Sequence, residues 1–226
     1  MTLPRTVKAV VFDMDGLLVD TERLYTDSLV AVALRDRLHL PQPVILRMIG
    51  HTWAGSSEVL RAHFGAAFDT EAFRVSVVEH FYETAQAGID LKAGVLELLD
   101  HLDAVGLPRA IATSSRQADV AHHMGAHGLL ERFHTVVAQG DYVRGKPYPD
   151  PYLKAAERLG VAPGDCLALE DSHNGVRAAH AAGMMTIMVP DMLDPTEEMH
   201  DLWVRIAADL HEVRDLLNGA PYPSIG

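Results

Sequence analysis

Short β-rich apolar runs alternate along this chain with stretches whose apolar residues recur at helical spacing. No other feature restricts the fold as strongly, because that alternation is the signature of a parallel sheet covered by helices. Strands are expected over Lys8 to Asp13, Pro108 to Thr113, Thr135 to Ala138, Asp165 to Glu170 and Met185 to Val189. Between the first two lies a long interval, Glu22 to Asp90, without a convincing strand. TERLYTDSLVAVALRDRL, PVILRMI, SSEVLRAHF and EAFRVSVVEHFYETA each show helical periodicity there, broken at Pro41, Gly50 and Gly65. The simplest account is a helical insert grown out of the sheet domain, with its apolar faces devoted to packing. Gly106 and Pro108 mark a helix-to-strand turn rather than a linker. Near the end, Asp209 and Glu212 have capping-box spacing ahead of a loose NGAPYPSIG tail.

In open α/β sheets ligands bind beyond the carboxyl ends of the strands, and Asp13, Thr113, Glu170 and Asp171 all fall there. The first strand runs into VVFDMDGLLVDTE, where Asp13 and Asp15 would share one face of a regular strand. Like charges held close repel, and desolvating either one costs free energy unless a cation or proton compensates. Gly16 lets the backbone turn tightly over them. A second acidic pair, Glu170 and Asp171, ends CLALED. Four carboxylates at one sheet edge call for a cation, and ligation by oxygen alone suits Mg²⁺. Thr113, Ser114 and Ser115 close AIATSS just before a helix that opens at Arg116 or Gln117. Hydroxyls and amides at such a place donate naturally to phosphate, although Ser114 or Ser115 could simply cap the helix. Positive charge comes from Lys146; the only other lysines are Lys8, Lys92 and Lys154.

Several alternatives fail on chemistry. An EF-hand is excluded because Gly16 comes too early after Asp13 and the terminal Glu is missing. Gly140, Gly145 and Lys146 nearly spell a Walker A loop, but Pro147 stands where a Ser or Thr must bind Mg²⁺. His122, His123 and His127 lie on an expected surface helix without cysteine partners, which argues against zinc. A net charge of −12 argues against nucleic acid. The lone Cys166 sits in an apolar run and reads as core, and the apolar run at the start, MTLPRTVKAVVF, is too short for a signal peptide or membrane span. A cytoplasmic protein is expected, without a membrane partner, as a monomer or small homo-oligomer.

Taken together, FDMDGLLVDTE, IATSS, GKPYPDPYL and LALEDSHNGVRAAHAAGM, in that order, resemble the haloacid dehalogenase superfamily of phosphohydrolases, in the branch of β-phosphoglucomutase and sugar phosphate phosphatases. The resemblance implies an α/β fold, a Rossmann-like parallel sheet sandwiched by helices, with residues 1–20 and 91–226 as catalytic core and residues 21–90 as an inserted α-helical cap. It implies that Asp13 attacks phosphorus to form an aspartyl phosphate. Asp15 would protonate the leaving oxygen and then deprotonate the hydrolytic water. Mg²⁺ would be held by the Asp13 carboxylate, the Asp15 carbonyl and Asp171, with Glu170 close by. Thr113, the Ser114 amide and Lys146 would hold the phosphoryl oxygens. Substrate contacts would come from Glu22, His51, Thr52, Trp53, Arg116 and Asn174.

Within the superfamily, an acid at Asp15 favours phosphoryl transfer over dehalogenation. No lysine lies between Lys8 and Lys92 to serve phosphonate cleavage by a Schiff base. Phosphomutase relatives carry a histidine and an arginine where this chain has Tyr25 and Trp53, so hydrolysis of a small phosphorylated metabolite is favoured over a mutase of the β-phosphoglucomutase type. A packed Trp53 in a turn is an equal reading of that position. A phospho-acceptor receiver domain gathers similar groups, but its acceptor follows a middle strand and it has no helical insert.

Overall fold

The computed structural model describes residues 3–49 and 53–219. The expected substrate residues His51 and Thr52, the break at Gly50 and most of the expected C-terminal tail lie outside them. In chain order the elements are β1 (Ala9–Phe12), α1 (Thr21–Arg35), α2 (Gln42–Leu46), α3 (Trp53–Phe64), α4 (Thr70–Ala85), α5 (Val95–Ala104), β2 (Arg109–Arg116), α6 (Gln117–Ala126), β3 (Thr135–Gln139), α7 (Asp150–Leu159), β4 (Cys166–Glu170), α8 (His173–Ala181), β5 (Met185–Met188), β6 (Arg205–Ile206) and α9 (Leu210–Asn218).

The six strands form one parallel sheet in the order β3-β2-β1-β4-β5-β6, a Rossmann-like arrangement. From β1 the chain first winds outward through β2 and β3. It then returns to the other side through β4, β5 and β6. This reversal around β1 creates a crevice beyond its carboxyl end, where doubly wound sheets bind ligands. Every residue of β1 and of β4 is buried, which explains why AVVF and CLALE lack the alternation of a one-sided strand. Helix α7 covers β2 and β3 and reaches β1, while α8 lies on β4 and β5, and α5 pairs with α9. Cys166 is part of this interior, and burial pushes its thiol pKa up to about 11, as befits core rather than a nucleophile.

Two differences from expectation have physical causes. β2 does not stop at Thr113 but continues to Arg116 through a register shift against β3, because Arg116 still pairs with Gln139 after the irregularity. Arg116 is therefore the N-cap residue of α6, with no side-chain cap, and neither Ser114 nor Ser115 caps that helix. The edge strand β6 has two residues and is not buried, too short and too polar to register as an apolar run.

The chain divides into two compact units, Met1–Val19 with Asp90–Gly226, and Asp20–Ile89. In the second unit α1 packs on α4, and α2 and α3 complete a core of Leu29, Val32, Val44, Leu60, Phe73 and Val77. The Phe64, Phe68 and Phe73 rings follow one another at centroid spacings of 4.6 and 5.7 Å. Asp69 caps α4 by accepting from the amides of Glu71 and Ala72. In the first unit, Asp209 caps α9 by accepting from the Glu212 amide, but Glu212 reaches the Ala208 amide instead of closing the box on Asp209. Among the described residues no helix is long and apolar enough to cross a membrane.

Candidate active site

The strand β1 ends at Phe12, and the backbone then folds into a tight turn. The Met14 carbonyl accepts from the amides of Leu17, Leu18 and Val19, and the Gly16 amide donates to the Val19 carbonyl at 2.9 Å. Asp15 is thus in a turn, and the strand alternation invoked for it and Asp13 does not apply. Asp13 is buried at the strand end, its amide still donating to the Leu169 carbonyl of β4. Asp15 is half-buried and points to β2, where its Oδ2 accepts from the Ser115 hydroxyl at 2.6 Å and from the Thr113 hydroxyl at 3.2 Å.

Gly16 has φ +81°, a left-handed conformation that suits glycine. A Cβ there would run into Asp171 Oδ2, so the missing side chain is also what lets the β1 turn close on the β4 terminus.

Beyond β4 the carboxylates meet their counter-charge. Lys146, from the loop before α7, places Nζ 2.5 Å from Asp13 Oδ1 and 2.6 Å from Glu170 Oε1, with only 7% of its side chain exposed. Glu170 is fully buried and receives further donors from the Tyr152 hydroxyl at 2.6 Å and from the Ser172 hydroxyl and amide at 3.0 and 3.1 Å. A Cβ on Gly175 would overlap this carboxylate, so α8 presses directly on it. Glu170 is thereby a fixed post that orients Lys146.

Asp13, Glu170 and Asp171 form a buried group whose ligand oxygens lie within 4.8 Å of one another. Three buried carboxylates around one ammonium leave uncompensated negative charge, and the donors are all oxygen, so the group fits a hard divalent cation. The electrostatics agree. Burial pushes Asp13 up to about 7, with Lys146 opposing and Glu170 and Asp15 adding to the rise. Burial alone would lower Lys146, but Asp13 and Glu170 outweigh it and hold the ammonium above its ordinary value. Tyr152 is raised well above its usual range by burial and by Glu170, so it acts as a donor.

Asp13, Asp15, Thr113, Lys146, Glu170 and Asp171 therefore converge at the carboxyl edge of the sheet. Ser114 lies on the exposed stretch of β2. Thr113 spends its hydroxyl on Asp15 and accepts from the Ser115 amide at 3.0 Å. Arg116 is exposed and paired with Asp119, and Asn174 is exposed at the start of α8, taking a hydrogen bond from Arg177. Glu22 and Trp53 belong to the helical unit. There Trp53 opens α3 rather than lying in a turn, and it is half-buried against the core with the Arg74 guanidinium 5.8 Å from its ring centroid.

One expectation is corrected. His123 does not face solvent: it is buried, and burial lowers its pKa, while His122 on the same helix and His127 just past its end are exposed. Sequence reasoning read Ser115 as a phosphate donor or helix cap rather than as the partner of Asp15, and it missed Tyr152 and Ser172 as partners of Glu170. All three lie inside the recognised motifs, but partner choice across the fold has no local signature.

Comparison with known proteins points to one family. The family model for haloacid dehalogenase-like hydrolases matches residues 7–183. The plasmid-borne protein CbbY of Cupriavidus necator is 35% identical over 202 residues, covering 81% of this chain and 78% of that protein. The probable pseudouridine-5'-phosphatase of Drosophila melanogaster is 36% identical over 195 residues, covering 83% of each. A HAD family hydrolase from Deinococcus radiodurans, solved with bound phosphate and sodium, superposes with a TM-score of 0.79 at 28% identity over 93% of this chain and 95% of that one. With its sheet, its acidic edge and its buried lysine, the chain belongs to the family of haloacid dehalogenase-like hydrolases.

Proposed function

We propose that the protein is a Mg²⁺-dependent phosphatase that hydrolyses a small phosphorylated metabolite, a sugar phosphate or similar monoester, through an aspartyl phosphate on Asp13. One observation carries this reading: a buried Asp13 held at 2.5 Å by an ammonium that Glu170 fixes from behind, beside a third carboxylate. The kinship with the CbbY protein and with a pseudouridine-5'-phosphatase supports it.

Lys146 holds Oδ1 of Asp13, so Oδ2 is the oxygen that attacks phosphorus. The bond from phosphorus to the ester oxygen breaks, and that oxygen takes a proton from Asp15. Ser115 and Thr113 grip Asp15 by Oδ2, which directs Oδ1 to this transfer. In the second half Asp15 removes a proton from water, which attacks phosphorus and releases Asp13. Lys146 also neutralises the transferring group, and fixed charge of this kind is the main source of acceleration expected in phosphoryl transfer. Asp13, the Asp15 carbonyl and Asp171 would hold Mg²⁺, with Glu170 behind; when bound it neutralises charge on the phosphoryl oxygens. The Ser114 amide would face the same oxygens.

The helical unit acts as a cap that limits water and selects the substrate, with Glu22, His51, Thr52 and Trp53 as contacts and Arg116 and Asn174 from the sheet unit. Tyr25 and Trp53 are themselves neutral, and the Arg74 guanidinium beside Trp53 is already paired with Glu71, which favours hydrolysis over a mutase. Purified protein should release phosphate from p-nitrophenyl phosphate when Mg²⁺ is present, and Asp13→Asn should not. Turnover by that variant would overturn the assignment of the nucleophile. Rapid conversion of β-glucose 1-phosphate to glucose 6-phosphate with a bisphosphate activator would overturn the preference for hydrolysis.

A further inference from the structure

Asp191, just beyond β5, has no part in the chemistry above, yet it sits beside it. Its Oδ1 accepts from Lys92 at 2.6 Å, and only 12% of its side chain is exposed. Its Oδ2 is buried without a hydrogen-bond partner. That oxygen lies 3.5 Å from the position a Cβ on Gly16 would occupy, and Asp171 Oδ2 lies closer still to the same position. Two carboxylates from different strands therefore converge on the bare face of one glycine. A buried acceptor with no donor is unfavourable. A cavity of about 290 Å³ lined in part by Gly16, Lys92 and Pro190 opens alongside, large enough for several waters.

We propose that Asp191 is a positioning residue for the divalent cation: Lys92 fixes it so that Oδ2 accepts a hydrogen bond from water in the cation's hydration shell on the Asp171 side. Mg²⁺ keeps several waters when bound by few carboxylates, and acceptors for those waters stabilise the bound ion. Lys92 makes the carboxylate tolerable without using the oxygen that faces the site. The inference rests on reading Asp13 and Asp171 as the cation's ligands.

Calorimetric titration of Mg²⁺ into the full-length protein tests it without recourse to turnover. Asp191→Ala should weaken the Mg²⁺ dissociation constant about tenfold. Lys92→Met should weaken it several-fold, and Lys92→Arg should restore it; the melting temperature without cation separates this from lost folding. If Asp191→Ala does not fold, the two Lys92 variants decide by the same readout. Asp171→Asn, which should abolish binding, is the control. Wild-type binding that Asp171→Asn removes and Asp191→Ala leaves unchanged would overturn the role of Asp191 alone. Binding insensitive to Asp171→Asn, or none by the wild type, would overturn the cation reading and this inference with it.

Discussion

The sheet unit and the helical unit bury polar groups differently. Among the described residues the sheet unit buries Asp13, Glu170, Asp171, Arg109 and His123 as well as the hydroxyls of Thr113 and Thr186, whereas the buried polar side chains of the helical unit are hydroxyls alone, those of Thr21, Ser28, Ser56, Ser57 and Thr70. A hydroxyl can be satisfied locally, as Ser28 is by the Leu24 carbonyl at 2.8 Å. A buried carboxylate needs donors from several elements, as Glu170 draws on the loop before α7, on α7 and on the segment leading into α8. The helical unit is held by apolar and aromatic packing. The sheet unit gathers its buried carboxylates into one constellation with Lys146, while Arg109 is paired separately with Asp103. The two units thus differ in their tolerance for substitution.

That contrast can be broken most forcefully at Lys146. Lys146→Met removes the counter-charge of two buried carboxylates and should lower phosphate release by at least about a thousandfold; a loss below tenfold would mean that the charge cluster is not the reacting centre. In the helical unit Phe73→Ala empties an aromatic core position and should cost about 3–5 kcal/mol of stability by denaturant unfolding. The dissociation constant for Mg²⁺ should stay unchanged, and a shift in it would erase the separation between the units. Tyr152→Phe takes one donor from the buried Glu170 and should cost about 1–3 kcal/mol, with calorimetry as the check.

A further effect concerns pH. With Asp13 raised from 3.8 to about 7, the folded protein without cation holds an extra proton between those values. The Asp13 contribution to stability therefore falls as pH rises through that window and levels off above it. Binding of Mg²⁺ releases this proton, so affinity should rise about tenfold per pH unit toward 7 and then flatten. A flat affinity from pH 5 to 8 would show that Asp13 is ionised throughout.

Much of the sheet was legible because its strands are buried on both faces, so β1 and β4 appear as unbroken apolar runs with acids at their ends. The far half of β2 was not, since Ser114, Ser115 and Arg116 are polar and their pairing depends on a bulge that leaves no local trace. His123 was misread although a signal existed: Val120, His123 and Met124 share a face at helical spacing, and all three are buried. The grouping of Asp13 with Glu170 and Asp171 follows from strand topology and so could be inferred. The Lys92–Asp191 pair joins residues 99 apart and could not. In the helical unit, periodicity reveals which residues pack, but the exposed residues left over have no period that would mark a binding site.

The central claim is that an oxygen of Asp13 forms a covalent bond with the transferred phosphoryl group. Crystals soaked with beryllium trifluoride and Mg²⁺ test it most directly, because that anion mimics a phosphoryl group joined to a carboxylate. Electron density for an adduct on Asp13, contacted by Lys146, is the predicted result. An adduct on Asp15, Asp171 or Asp191 instead, or an unmodified Asp13 in crystals that hold Mg²⁺, would contradict the account.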